Sequence, residues 1–178
     1  IMGNLFSTNN KYVDACKKDD IDYIKKIYNN LDNNDRSILF NIACNYNAIN
    51  IALWIPGNNI VIYNDVLDNV IKNEYLEIFF ILLKKLLIKT DTDLFDKSCK
   101  YNLNFVKLIY VLSDNLNKKI SRGLINAINN QKLEIIIFLI DNEFQYNDDI
   151  FKKACNTNNI KIINYFTKLC PRYSYVKN

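Results

Sequence analysis

Cysteine thiols and adjacent carboxylates are the side chains of this sequence that most readily suggest chemistry, since the chain has five Cys and no His. A nucleophilic Cys needs a neighbouring base, which is most often His. No two cysteines have the CxxC spacing of common zinc sites, and neither GxSxG nor a Gly-rich phosphate loop is present. The acid pairs Asp19–Asp20 and Asp148–Asp149 adjoin predicted helix starts, where capping explains them. We therefore predict a noncatalytic protein that needs no metal or cofactor.

Four of the cysteines occupy one position of a repeated phrase, directly after a small residue. They are Cys16, Cys44, Cys99 and Cys155. Thiols at such positions behave as small apolar groups packed between helices. Unpaired thiols are typical of a reducing compartment, so we expect an intracellular, cytoplasmic protein.

The phrase recurs with a nearly fixed period along the chain. Its small residue is Ala15, Ala43, Val70, Ser98, Ala127 and Ala154, at spacings of 27 to 29 residues. A bulky apolar residue precedes it by three positions, as Tyr12, Phe40, Leu67, Phe95, Leu124 and Phe151. Residues three apart share one face of a helix, so each phrase predicts a first helix. A period of 20–50 residues indicates stacked repeats that bury their apolar faces against one another.

A polar turn and a second apolar stretch follow each small residue. The second stretches open at Ile21, Ile49, Leu76, Leu103, Leu133 and Ile160, with apolar residues at +2, +3, +5 and +6. This wide stripe is typical of a helix rather than of strand alternation. The sequence therefore predicts an all-α solenoid of about six short helix pairs. The units lie near 11–37, 38–65, 66–93, 94–121, 122–149 and 150–170, between an N-terminal arm (1–10) and a C-terminal tail (171–178).

The segments between the units are rich in Asn and Asp, which tolerate turns and cap helices. Pro56 and Gly57 should end the second helix of the second unit. The stretch IVIY at 60–63 is consistent either with a short strand or with irregular structure.

The stretches at 94–109, 124–139 and 150–166 resemble ankyrin repeats, whose two-helix core reads roughly as Leu, two variable residues, paired small residues, a polar turn and LEIVKLL. The family's TPLH entry is absent, its turn Gly is replaced, and the period is about five residues short of 33. The missing residues fall where ankyrin proteins carry β-hairpin fingers. The resemblance thus implies a protein-binding module with reduced fingers.

Asn, Ile, Lys and Tyr make up half of the 178 residues, a bias typical of a very A+T-rich genome. The chain is in this respect similar to ankyrin-repeat proteins of giant DNA viruses and poxviruses. That similarity implies a viral protein that engages a host or viral protein partner.

In ankyrin-like stacks, the concave groove is lined by the first-helix positions one before and three after the small residue. The pairs here are Asp14/Lys18, Ile42/Tyr46, Asn69/Asn73, Lys97/Tyr101, Asn126/Asn130 and Lys153/Thr157. We predict partner contacts from Lys18, Tyr46, Asn73, Lys97, Tyr101, Asn130 and Lys153. Tyr46 and Tyr101 are the expected anchors, because binding energy concentrates in aromatic residues and Arg. The alternative at each position is a plain solvated face.

A second candidate surface lies at position +4 of the second helices. This position is apolar as Leu53, Phe80 and Ile137 but polar in the other three units. Exposed, the three side chains would support a homodimer or another self-associating structure. Buried under neighbouring loops they are core residues, which is the interpretation that we favour.

Nucleic-acid binding is the alternative from another class. Its candidate residues are Lys97, Lys100, Lys118, Lys119, Arg122, Lys152 and Lys153. The net charge is only +4, and lysines alternate with Asp and Asn instead of forming one basic face. The pattern argues against DNA or RNA as the partner.

The start of the chain fits an N-myristoylation pattern, with Gly3 as the acceptor after Met2 and Ser7 at the required distance. A single myristoyl chain binds membranes only weakly. The longest apolar run, Ile78 to Leu83, is far below the roughly 18–20 residues that span a bilayer. We expect membrane contact only if Gly3 is acylated.

Overall fold

All regular secondary structure in the described part of the chain is α-helical, which confirms the all-α class. The computed structural model describes residues 11–113, 116 and 122–169. Its helices are α1 (11–17), α2 (Ile21–Tyr28), α3 (Asn33–Asn45), α4 (Ile49–Trp54), α5 (Asn64–Lys72), α6 (Leu76–Lys84), α7 (Thr92–Ser98), α8 (Leu103–Leu112), α9 (Arg122–Asn129), α10 (Leu133–Asp141), α11 (Asp148–Asn156) and α12 (Ile160–Leu169). Each predicted first and second helix is present, and α4 ends just before Pro56 as expected.

The chain divides into two compact units, Ile1–Lys89 and Thr90–Asn178, called the N-terminal and C-terminal units below. In the N-terminal unit α3 packs on α4 and α5, α5 on α6, and α4 on both α2 and α6. In the C-terminal unit α9 packs on α7, α10 and α11, while α7 packs on α8, α8 on α10 and α11 on α12. Within each unit, first helices thus adjoin first helices and second helices adjoin second helices.

The periodic small residues form the contact layer between helices. Five of them have 0% exposure and Ala15 has 6%. The bulky residues three positions earlier are also buried, except that Leu67 is half-buried and its neighbour Val66 is buried instead. Second helices bury mainly positions +2, +3 and +6, as in Ile135, Ile136 and Leu139. The sequence period therefore identified most of the core, but the predicted +5 position is buried only as Ile81 and is exposed as Trp54.

The first helices end in a left-handed residue four positions after the small residue. These residues are Asp19, Asn47, Glu74, Gln131 and Asn158, with φ between 50° and 58°. The amide of the residue after each of the first four donates to the carbonyl of the small residue, for example Lys132 to Ala127 at 2.8 Å. This is the Schellman geometry, in which Gly is the usual left-handed residue. The fourth unit has no such residue because its turn is one residue shorter.

The stretch 58–63 is irregular and does not form the strand that its IVIY sequence allowed. Two buried polar residues of α3 bind it instead. The Nδ2 group of Asn41 donates to the Val61 carbonyl at 2.7 Å, and its Oδ1 accepts from the Tyr63 amide at 3.0 Å. Ser37 Oγ accepts from the Val61 amide at 3.2 Å. These bonds replace strand pairing, so the segment lies against α3.

Candidate protein-binding face

The positions one before and three after each small residue define what we call the first-helix face. None of the twelve residues is buried. Asp14, Lys18, Tyr46, Asn73, Asn130 and Lys153 are exposed, while Ile42, Asn69, Lys97, Tyr101, Asn126 and Thr157 are half-buried. Each small residue lies on the packed side of its helix. The positions one before and three after it lie on the opposite side, so they stay accessible.

In the N-terminal unit, the aromatic side chain of this face is Tyr46, which is 43% exposed. The ammonium group of Lys17 lies 5.5 Å from the centroid of its ring, within the range of a cation–π contact. Ile42, one turn earlier on α3, is half-buried. Tyr46 thus offers an accessible aromatic ring beside an ammonium group, and aromatic residues are where interface energy concentrates.

The same face continues on α5 through amide side chains that hydrogen-bond to one another. Asn73 Nδ2 donates to Asn69 Oδ1 at 2.7 Å, and Asn69 Nδ2 donates to the Asn45 carbonyl at 3.1 Å. These bonds fix the orientation of the amides, so they can contact a partner with little loss of side-chain freedom.

In the C-terminal unit, one hydrogen bond joins this face of α9 to α7, and a second lies within α9 and the turn that follows it. The Nδ2 group of Asn126 donates to the Asp96 carbonyl at 2.7 Å, and Asn130 Nδ2 donates to the Asn126 carbonyl at 2.9 Å. Lys97 and Tyr101 flank this pair on α7 and its following turn, and Lys153 lies on α11. The structure brings the predicted residues of this unit onto three helices that pack in series.

A buried carboxyl group supports this arrangement and was not anticipated from sequence. Asp96 is 7% exposed, and its Oδ1 accepts from the Gly123 amide at 2.7 Å. Burial raises the pKa of Asp96 to about 6, and the hydrogen bond from Gly123 opposes that rise. The group ties α7 to α9. Its equivalents in the other repeats range from the buried Asn41 to the exposed Lys152, so its position in the repeat gave no signal.

Our preferred interpretation of the second candidate surface was wrong for two of its three residues. Leu53 is 52% exposed and Phe80 is 48% exposed, so neither belongs to the core. Ile137 is half-buried. Position +4 points away from the first helices, and no neighbouring loop among the described residues covers Leu53 or Phe80.

The thiols are positioned for packing, as the sequence predicted. Cys16, Cys44 and Cys99 are buried and Cys155 is partly buried. Burial raises the pKa of the Cys16 and Cys44 thiols to about 12 and also raises the pKa of Cys99 and Cys155. Because the thiolate is the reactive form, burial makes the Cys16, Cys44 and Cys99 thiols poor nucleophiles at neutral pH.

A cleft of about 490 Å³ opens at the turn ends of the C-terminal unit. Its walls include Tyr101, Gln131, Lys132, Asn159 and Lys161. The Nδ2 group of Asn159 donates to Gln131 Oε1 at 3.1 Å across it. Sequence reasoning missed this cleft because it forms between turns of successive pairs. Tyr101 belongs to both the cleft and the first-helix face.

Several predictions concern residues outside the described part of the chain. Gly3, Lys118 and Lys119 are among them. Within the described residues, no group of three or more His, Cys, Asp or Glu side chains is placed to hold a metal ion. No helix in the described ranges has the length and apolar content needed to cross a membrane.

The fold and this face define an all-helical protein built from repeated helix pairs, with accessible side chains on its first helices. Comparison of the chain with family models, with curated proteins and with solved structures gave no match. We therefore infer the function from the chain's own residues.

Proposed function

We propose that this protein is a noncatalytic protein-protein interaction module of the ankyrin-repeat type, with about six helix pairs, reduced fingers and a binding surface on its first helices. The observation that carries the proposal is the contrast along those helices. All six small residues are buried, whereas all twelve neighbouring face positions are accessible. Packing thus constrains one set of positions and leaves the other to serve recognition.

The irregular stretch 58–63 supports reduced fingers, because it is bound to α3 by Asn41 and Ser37. Binding then falls to the helices themselves. The burial of Cys16, Cys44 and Cys99 favours a structural role for these cysteines, and unpaired thiols fit a cytoplasmic protein. A viral origin, with a host or viral protein as partner, agrees with the biased composition.

The test is selection of a random-peptide display library against the full chain, followed by affinity measurements with variants. We expect Tyr46→Ala or Tyr101→Ala to weaken selected peptides about tenfold, as loss of an interface anchor does. Tyr63→Ala is the matched control, because Tyr63 is similarly exposed at 39% but lies off the face. Peptides that bind every variant equally would refute the proposal.

Self-association is the second candidate, favoured by the exposure of Leu53 and Phe80 on α4 and α6, which pack against each other. Sedimentation equilibrium of the full chain tests it. A dimer that Leu53→Lys with Phe80→Lys converts to a monomer would support this role. A monomer at every concentration would exclude it.

A further inference from the structure

The turn between the two helices of a pair is one residue shorter in the fourth pair than in the other five. In those five pairs the second helix begins six positions after the small residue, whereas Leu103 is only five positions after Ser98. The missing residue is the left-handed one that follows the first helix in the other pairs. The fourth pair therefore lacks the side chain that this residue would carry.

In the first and fifth pairs, the side chain of the left-handed residue reaches the start of the next second helix. The carboxylate of Asp19 accepts from the Asn50 and Ile51 amides of α4, each at 3.0 Å, and from Asn50 Nδ2 at 2.8 Å. Gln131 is the corresponding residue of the fifth pair. Its Oε1 accepts at 3.1 Å from Nδ2 of Asn159, whose Oδ1 caps α12. One polar side chain thus occupies the space between successive turns.

The corresponding space before α10 is the cleft of about 490 Å³. Glu134 and Ile135 line the cleft and occupy the same helix positions as Asn50 and Ile51 of α4. Lys132, which precedes α10, does not cap it through its side chain. Among the described residues, no acceptor binds the amides of Glu134 and Ile135. The cleft therefore contains at α10 the two donors that already hold a carboxylate at α4.

From this correspondence we infer that a carboxylate side chain of the protein partner enters the cleft and accepts from the amides of Glu134 and Ile135. The inference rests on the proposed function and adds the chemistry of one partner contact. The charged side chains that line the cleft are Lys132, Lys161 and Glu134, which carry both signs. Selection therefore comes from the amides at the helix start, which favour an anionic acceptor, and not from a positive surface.

The cleft adjoins the first-helix face, because Tyr101 belongs to both. A partner held on that face can therefore place a side chain in the cleft. A free anion would meet the same two donors, so the shared chemistry is an anionic oxygen. Attachment to a partner favours the carboxylate, because its binding becomes intramolecular once the rest of the partner is held.

Two insertion variants of the full chain test the inference. Each adds one residue between Tyr101 and Asn102, which gives the fourth pair the turn length of the other five. The added residue is Asp in the Asp-insertion variant and Gly in the Gly-insertion variant, and both tolerate the left-handed backbone. The variants differ in one side chain, so the Gly-insertion variant is the control for the longer turn.

Amide hydrogen exchange, measured by NMR, shows whether a carboxylate reaches α10. We expect the amides of Glu134 and Ile135 to exchange about tenfold more slowly in the Asp-insertion variant than in the Gly-insertion variant. Equal exchange in the two variants would show that a carboxylate does not fit the cleft and would overturn the inference. Circular dichroism confirms that the helices of both variants are intact.

Binding is measured with peptides selected from the random-peptide library against the parent chain. We expect these peptides to share an acidic residue, and to bind the Gly-insertion variant within about twofold of the parent and the Asp-insertion variant about tenfold more weakly. Replacement of the peptide's acidic residue by its amide should cost a similar factor. Equal affinity for the two insertion variants, or no loss with the amide peptide, would overturn the inference. Inorganic phosphate that binds more tightly than the peptides would reassign the cleft to a free anion.

The two proposals fail in different ways. Peptides that depend on Tyr46 or Tyr101 but bind both insertion variants equally would overturn the inference about the cleft and leave the proposed function standing. Peptides that ignore every change on the first-helix face and both insertions would refute the proposed function itself.

Discussion

The carboxylate of Asp19 and the ammonium group of Lys85 hold opposite ends of helix α4. Asp19 accepts from two first-turn amides of α4, each at 3.0 Å. Lys85 donates to the Ile55 carbonyl at 2.6 Å, just past the last turn. α4 has six residues and no capping side chain of its own, and so short a helix is marginal in isolation. Neighbouring helix pairs therefore supply the charges that complement its dipole and terminal groups.

Asp19→Ala should lower the free energy of unfolding by about 1–2 kcal/mol, because it removes a cap from α4 and a residue suited to its left-handed backbone. Asp22→Ala is the control, since Asp22 is an exposed acid whose pairing with Lys25 spans 3.9 Å and contributes little. Urea unfolding followed by circular dichroism measures both. Equal midpoints for the two variants would contradict the capping role of Asp19.

Leu86→Gly should raise stability by about 0.5–1 kcal/mol. Leu86 has φ 58° and is 88% exposed, so its side chain strains the backbone without packing in return. A side chain costs about 1–2 kcal/mol in the left-handed region of backbone space. Relief of this strain outweighs the extra conformational entropy that Gly gives the unfolded chain. Lys26→Gly, at an exposed site inside α2, should instead destabilise by about 0.7 kcal/mol. If both glycines destabilise the chain, the left-handed assignment at Leu86 is wrong.

Asp96→Asn should flatten the pH dependence of stability between about pH 4 and 7. The pKa of Asp96 is about 6 in the folded chain and 3.8 in the unfolded chain, so the folded state binds its proton more tightly. Stability is thus greatest below the unfolded pKa and falls as pH rises through 6. The loss at pH 7 is at most about 3 kcal/mol.

The Asn variant keeps an oxygen that can accept from Gly123 but cannot ionise, so it should be the more stable chain at pH 7. Thermal melts at several pH values provide the comparison. Parallel profiles for the parent and the variant would show that Asp96 does not titrate in this range.

Ala127→Glu should destabilise the protein by several kcal/mol. Ala127 has 0% exposure on α9, which packs against α7, α10 and α11, and an unpaired carboxylate there has no partner. Asn129→Glu, at the exposed end of the same helix, should cost only a few tenths of a kcal/mol. A melt of Ala127→Glu that matches Asn129→Glu would mean that α9 is not packed through this residue.

Periodicity was sufficient to predict the helices and the small-residue core, because the i, i+3 relation between residues such as Phe40 and Ala43 is local. Periodicity could not predict the exposure of Leu53 and Phe80, because the sequence of one helix does not reveal whether a neighbouring element covers its outer side. Their apolar character suggested burial, but the flanking second helices leave them exposed.

The polar contacts between repeats also could not be predicted from a sequence pattern. Asp19 was expected to cap the helix start that it adjoins, yet its carboxylate caps α4 in the next pair. In the sequence, Asn41 resembles an ordinary polar residue in the middle of a helix. In the structure, its side chain hydrogen-bonds to the stretch 58–63. Such partners depend on tertiary packing, which determines which distant backbone groups come within hydrogen-bond reach.

The most direct test of the first-helix face is an amide chemical-shift map of the full chain titrated with the tightest library-selected peptide. We predict that the perturbed amides cluster on the first helices, around Tyr46 in the N-terminal unit or around Tyr101, Asn126 and Lys153 in the C-terminal unit. Perturbations confined to the second helices, around Leu53 and Phe80, would contradict it.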